Sequence, residues 1–157
     1  MATELPRLQL PQGPPFPDPR EVLPHKEPFL FIDQVVELSE RRCVAVRTFR
    51  PDENFFKGHF PGRPVVPGVL LLEGLAQTMA YLALVQQPAG KVFLVGIDRA
   101  RFRSIVEPGQ EVTFEVEAGE LRFGLLTGKG KVRTAAARIA DAALTGYSGD
   151  PGGNPLK

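Results

Sequence analysis

The chain has 157 residues, 43% of them hydrophobic and 24% charged, which is the balance of one soluble globular domain long enough to bury a core. Nineteen basic against eighteen acidic side chains give a formal net charge of +1 and exclude a global attraction to nucleic acid or membrane. The single cysteine, Cys43, excludes an intrachain disulfide and leaves no thiolate cluster for a metal, as expected in a reducing cytoplasm.

The first residues lack the basic and apolar regions of a signal peptide. The apolar run from Gly74 to Val85 falls short of the ~20 residues that a membrane span needs. The expectation is a soluble, cytoplasmic protein.

Residues 1–20 carry six prolines and no periodic apolar face, so they read as an extended arm, packed on a partner subunit or loose. From Glu21 the apolar residues gather, and a single domain is expected over 21–147. A short helical turn before Pro24 and a strand over Phe29 to Leu38 follow. After a turn at Ser39 to Arg41, Arg42 to Phe49 alternates, with Cys43, Ala45, Arg47 and Phe49 on one face. Pro51 to Asn54 break that strand.

Gly58 to Gln77, GHFPGRPVVPGVLLLEGLAQ, is the stretch around which the rest is arranged. It begins as a loop braced by Pro61, Pro64 and Pro67, each of which fixes its own backbone and restricts the residue before it. Pro67 and Gly68 then start a helix that runs to Pro88 and Gly90. The helix is apolar on every side, hence buried, and at about 18 residues spans ~27 Å.

Beyond it, strands are expected at Val92 to Arg103, Val112 to Glu117, Leu121 to Val132 and Arg138 to Tyr147. The last is alanine-rich, and intrinsic propensity alone would favour a helix there. Ser148 to Lys157 reads as a disordered tail. The fold class is α+β, a curved antiparallel sheet around one long central helix.

Within the braced loop stands His59, a titratable side chain in a rigid setting. On the helix, Glu73 lies among Leu70, Leu71, Leu72 and Leu75, where desolvation should raise its pKa. Gln77 follows one turn later on the same face, within reach of a hydrogen bond. A Glu–Gln pair that only fixes helix orientation accounts for the helix equally well. The Gly68 N–H, at the positive end of the helix dipole, suits a developing oxyanion; a plain Pro-Gly turn explains it too. Base, carboxylate and helix-start amide together fit proton abstraction next to a carbonyl.

Three segments carry a resemblance: LPHKEPFLFIDQV, NFFKGHFPGRPVVPGVLLLEGLAQ and GIDRARFRSIVEPGQEV, in this order. From about Leu23 to Tyr147 the chain resembles the FabZ-type (3R)-hydroxyacyl-acyl-carrier-protein dehydratases of bacterial fatty-acid synthesis. The resemblance implies a hot-dog fold and a homodimer with shared active sites, with a trimer of dimers as the larger assembly. It implies that His59 of one subunit faces Glu73 of the other, that His59 removes the C2 proton of the 3-hydroxyacyl thioester, and that the Gly68 amide polarises the carbonyl. Glu73 would orient or protonate the departing hydroxyl, with Phe60, Pro67 and Gln77 supporting the site. Glutamate at this position, where the isomerising relatives usually carry aspartate, favours dehydration alone. No metal or cofactor is needed, because the thioester itself acidifies C2.

The partner implied is an acidic acyl carrier protein. Arg99, Arg101 and Arg103 alternate with Ala100 and Phe102, which on a regular strand would place all three on one face as a docking patch. A solvated strand face is the plainer reading. Two departures stand out. Gly74 replaces the alanine that commonly follows the glutamate, and would make room for the acyl chain or the partner helix. Thr134 to Ala137 replaces the Asp-Gly-like turn expected in the last hairpin. Other functions compatible with the fold are a hot-dog dehydratase or thioesterase of polyketide or specialised-lipid synthesis, and a non-catalytic acyl-thioester-binding subunit.

Overall fold

The computed structural model describes residues 9–88 and 90–149. Pro19–Val22 (α1) is a single helical turn capped by Asp18, whose carboxylate accepts the Arg20 N–H at 2.8 Å. Just before it, the Pro17 carbonyl accepts the Tyr81 hydroxyl at 2.7 Å, and Phe16 packs on the core. The end of the proline-rich arm is therefore fastened to its own chain, while residues 1–8 lie outside the described residues.

Six strands follow: Gln34–Leu38 (β1), Arg42–Thr48 (β2), Lys91–Phe102 (β3), Glu111–Ala118 (β4), Leu125–Arg133 (β5) and Arg138–Gly149 (β6). They form one sheet in the order β1-β2-β4-β5-β6-β3, antiparallel throughout. A 3-10 turn, Asn54–Lys57, and the long helix Gly68–Gln86 (α2) lie between β2 and β3. The helix packs against β2 to β6, and this wrapped helix is the hot-dog arrangement.

By length and composition α2 could cross a membrane, but 67% of its most apolar window is buried inside the sheet. It is the core of the domain. The run Gly74 to Val85 had understated its apolar length.

The alternation of β2 and β4 is kept: Cys43, Ala45, Val112, Phe114 and Val116 are fully buried, and Arg47 is 1% exposed. Burial also pushes the Cys43 thiol up to about 12, with the Glu37 charge adding to it. On β5 the inward positions are Leu126, Gly128, Gly130 and Val132. A Cβ on Gly128 would lie 2.9 Å from the Met79 sulfur, and one on Gly130 would lie 2.8 Å from Leu75 Cδ1. These glycines let α2 sit low on the sheet.

Gly74 serves the same end. A Cβ there would lie 2.5 Å from Cε1 and 2.9 Å from Cε2 of the buried Phe114 ring. The space expected for an acyl chain or a partner helix is filled by a side chain of β4.

The strand expected over Phe29 to Leu38 begins only at Gln34. Upstream, side chains take the place of a neighbouring strand. Gln77 Nε2 donates to the Phe29 carbonyl at 3.0 Å, Gln77 Oε1 accepts the Phe31 N–H at 2.8 Å, and Arg47 Nη1 donates to the Leu30 carbonyl at 2.8 Å. The strand expected from Leu121 likewise starts at Leu125, because Phe123 and Gly124 take positive φ (52° and 79°) to close the β4–β5 hairpin.

The alanine-rich segment is strand, as expected. Its turn works without glycine because the Thr134 hydroxyl accepts the Ala136 and Ala137 N–H groups at 3.4 and 3.3 Å. Ser148 and Gly149, placed in the tail by sequence, pair with Val92 and Lys91. The rest of that tail lies outside the described residues.

Candidate active site

The loop after the 3-10 turn fixes His59 through its backbone. Its N–H donates to the Phe55 carbonyl at 3.0 Å, and its own carbonyl accepts the Val65 N–H at 3.0 Å. A tight turn follows in which Phe60 and Arg63 exchange backbone bonds of 3.1 and 2.9 Å, with Gly62 at φ 76°. The Phe60 ring stacks on the imidazole, centroids 4.1 Å apart.

The ring is also oriented by a hydrogen bond, His59 Nδ1 to the Val65 carbonyl at 2.8 Å. A carbonyl can only accept, so Nδ1 carries the proton in the neutral ring. Nε2 is left with a free lone pair, the form a general base requires.

Between Leu71 and Leu82 every helix position is buried except Glu73. Its side chain keeps 20% exposure and is not enclosed by the leucines around it. Oε1 accepts Gln77 Nε2 at 3.0 Å, and Gln77 is fully buried between α2 and the Phe29 to Phe31 segment. The helix thus presents one carboxylate, held by an amide that is itself held by two backbone groups.

Glu73 opens into a cavity of about 210 Å³ lined by residues that include Ala76, Met79, Val92, Phe93 and Leu94. His25 lines it as well, with Nε2 3.7 Å from Glu73 Oε1. Burial lowers the His25 pKa below the ordinary histidine value, against an upward pull from the Glu73 charge, so the ring is neutral at neutral pH. His59 is not among the cavity's lining residues. Nothing in the sequence reading singled out His25, though the signal was present: it is one of two histidines and stands in a segment bracketed by Pro24 and Pro28.

Gly68 opens α2 with Pro67 as its cap, so its N–H belongs to the unpaired first turn. A Cβ on it would lie 2.8 Å from Phe102 Cε1, and glycine is what lets the β3 ring lie on the helix start.

The three arginines do not form the regular stripe expected. The β3–β6 register shifts between Asp98 and Arg101, so Arg99 and Ala100 together stand opposite one residue, and Arg99 has φ 54°. Arg103 is paired with Asp141 at 2.8 Å, a carboxylate that also meets Arg138 at 3.3 Å. Among the described residues Arg99 and Arg101 form no ion pair.

The FabA-like domain family model matches residues 23–143, which takes in both histidines and Glu73. The chain belongs to the FabA-like family. Among its FabA-like relatives, the 3-hydroxyacyl-[acyl-carrier-protein] dehydratase FabZ of Symbiobacterium thermophilum is 48% identical over 128 residues, 79% of this chain and 89% of that protein. The protein of the same name from Caldanaerobacter subterraneus subsp. tengcongensis is 40% identical over 130 residues, 81% and 92% of the two chains. In fold, this FabA-like chain is similar to a chain of the dehydratase heterocomplex ApeI:P from Xenorhabdus doucetiae, with a TM-score of 0.76 at 16% identity over 87% of this chain and 93% of that one. It also shares the fold of zebra fish thioesterase superfamily member 2, with a TM-score of 0.58 at 10% identity over 74% and 80%.

Proposed function

We propose that this chain dehydrates (3R)-3-hydroxyacyl-acyl-carrier protein to the trans-2-enoyl thioester in cytoplasmic fatty-acid biosynthesis, using His59 and Glu73 drawn from two subunits. The observation that carries the roles is the Val65 carbonyl on His59 Nδ1, which leaves Nε2 free to take the C2 proton. The thioester carbonyl meets the Gly68 N–H as negative charge develops on it. Glu73 orients the C3 hydroxyl and supplies the proton with which it departs as water. One C–H and one C–O bond break, and a C=C bond and water form.

A homodimer is the reading that the sheet edge supports. β3 is a twelve-residue edge strand with Phe93, Leu94 and Ile97 exposed by 37%, 40% and 40%, which an isolated protein would leave open to pairing. Phe93 and Leu94 also border the Glu73 cavity, so a partner covering this edge would lie beside that cavity, and on this reading its His59 loop completes the site. For the acidic carrier protein, Arg99 and Arg101 are the two of the three β3 arginines that form no ion pair among the described residues.

The test is enoyl absorbance with a 3-hydroxyacyl carrier thioester. His59→Ala and Glu73→Gln homodimers should each be inactive, and mixing them should restore activity through heterodimers. If subunits demonstrably exchange and nothing returns, the shared site is wrong. If the wild type gives no enoyl product, the activity is wrong.

A further inference from the structure

The proposed chemistry uses one histidine and leaves the other unexplained. His25 is placed with care. Leu23, two residues before it, is 2% exposed, the Phe29 N–H closes a turn onto the Lys26 carbonyl at 2.8 Å, and Gln77 ties Phe29 and Phe31 to α2. The segment carrying His25 and the helix carrying Glu73 are therefore locked in one register by the same amide that bonds Glu73.

The ring makes no hydrogen bond among the described residues, and its surroundings favour one tautomer. Nδ1 is shielded and has no partner among the described residues, whereas Nε2 faces Glu73 Oε1 at 3.7 Å. With the proton on Nδ1, a buried N–H would go unmet and a lone pair would face the carboxylate. With the proton on Nε2, the N–H points at the carboxylate and only a lone pair is left unpaired. The second tautomer is favoured on both counts. Among the described residues, Glu73 is also the only other titratable group that lines the cavity, since β3 contributes Val92, Phe93 and Leu94 and β6 contributes Gly146.

We propose that His25 is a positioning residue for Glu73, a neutral imidazole whose Nε2–H approaches Oε1, the same carboxylate oxygen that the Gln77 amide bonds, and holds it toward the cavity. The inference rests on the reading of Glu73 as a reacting group. Gln77 alone fixes one oxygen from along the helix; His25 supplies the second constraint, from another segment of the chain. An unpartnered buried nitrogen is then explained, because a ring that must donate from Nε2 leaves Nδ1 without a proton to offer.

The test compares His25→Phe, which keeps a ring and loses the donor, with His25→Gln, which keeps a donor at similar reach. His25→Phe should lower kcat by about tenfold to a hundredfold, the loss typical when a partner that orients a reacting ligand is removed. KM should change little, because substrate binding is not the interaction removed. His25→Gln should recover most of the rate. A purely structural role would lower thermal stability and kcat in both variants alike, with no recovery in His25→Gln.

Wild-type kcat in His25→Phe, or equal losses of kcat in both variants, overturns the proposal. If His25→Phe does not fold, nitrogen NMR of the imidazole decides. The chain has two histidines, so the His25 signals stand alone in His59→Ala. They should report an Nε2-bound proton and shift on Glu73→Gln; an Nδ1-bound proton or no shift overturns the proposal. An active Glu73→Gln enzyme defeats the role of Glu73 and this inference together, whereas an inactive one beside an unimpaired His25→Phe defeats this inference alone.

Discussion

Replacing Gly74 by alanine sets helix propensity against packing. In an exposed helix the change would stabilise by about 1 kcal/mol. Here the new methyl would stand 2.5 Å and 2.9 Å from two carbons of Phe114, whereas carbon atoms rest at about 3.5–4.0 Å. The ring is fully buried on β4, so relief requires the ring, the strand or α2 to move by about 1 Å. Overpacking of this kind costs about 1–3 kcal/mol. The expected net result is a loss of up to about 2 kcal/mol, read from urea unfolding at fixed protein concentration. Phe114→Leu should relieve the clash, so the two changes together should cost less than their sum by about 1 kcal/mol or more. Because Glu73 adjoins the site of strain, kcat should fall with stability. A Gly74→Ala protein more stable than wild type, or strict additivity with Phe114→Leu, would refute the packing account.

Gln77→Leu leaves the Phe29 carbonyl and the Phe31 N–H without partners in the interior, and should cost about 2–4 kcal/mol in denaturant unfolding; a change under about 0.5 kcal/mol would mean water or the backbone replaces the amide. Arg47→Met strands the 8%-exposed Glu53, whose carboxylate Arg47 Nη2 meets at 2.7 Å, and should cost about 3–5 kcal/mol, with part regained in Arg47→Met/Glu53→Gln. His25 carries the pH prediction. Its folded pKa is depressed, so below the unfolded value of about 6.5 the unfolded chain binds a proton that the fold refuses. Stability contributed by the neutral ring is present above that pH and is lost as pH falls through the folded pKa; the acid-side slope of stability should flatten in His25→Phe. Reversing the charge of Arg101 should raise KM for the carrier-bound substrate more than for a small thioester, and an equal effect on both would remove this arginine from docking.

Much of this was legible because it obeys a period. Alternation put Arg47 on one face of β2 with Cys43, Ala45 and Phe49, and that face is the buried one, with Arg47 1% exposed; the all-round apolar run announced the central helix. The alanine-rich β6 was legible only against propensity: Ala140 and Ala142 are buried in a strand paired on both sides, and pairing outweighs a preference of a few tenths of a kcal/mol per residue. What failed to show were places where a side chain does a backbone's work or the backbone breaks step. Gln77 satisfies Phe29 and Phe31 in place of a strand neighbour, and no alternation reports that. The bulge at Arg99 disrupts a stripe that spacing alone made regular. Gly74 answers to Phe114, forty residues away in sequence and visible only as a clash. His59 and Glu73 were each readable from local setting, whereas the His25 to Glu73 approach depends on two segments meeting, which no window along the chain contains.

The buried Cys43 has a practical consequence for the subunit-mixing experiment. Cys43 is fully buried and its pKa is pushed up to about 12, so the thiolate that thiol reagents attack is scarce near neutral pH and out of their reach. The only cysteine is therefore silent, and the native chain already serves as an unreactive background for thiol labelling. A cysteine introduced for Phe123, 99% exposed at the tip of the β4–β5 hairpin, would take a fluorophore alone. Two such preparations, donor and acceptor, would report exchange of subunits directly, without any change to the residues around the cavity.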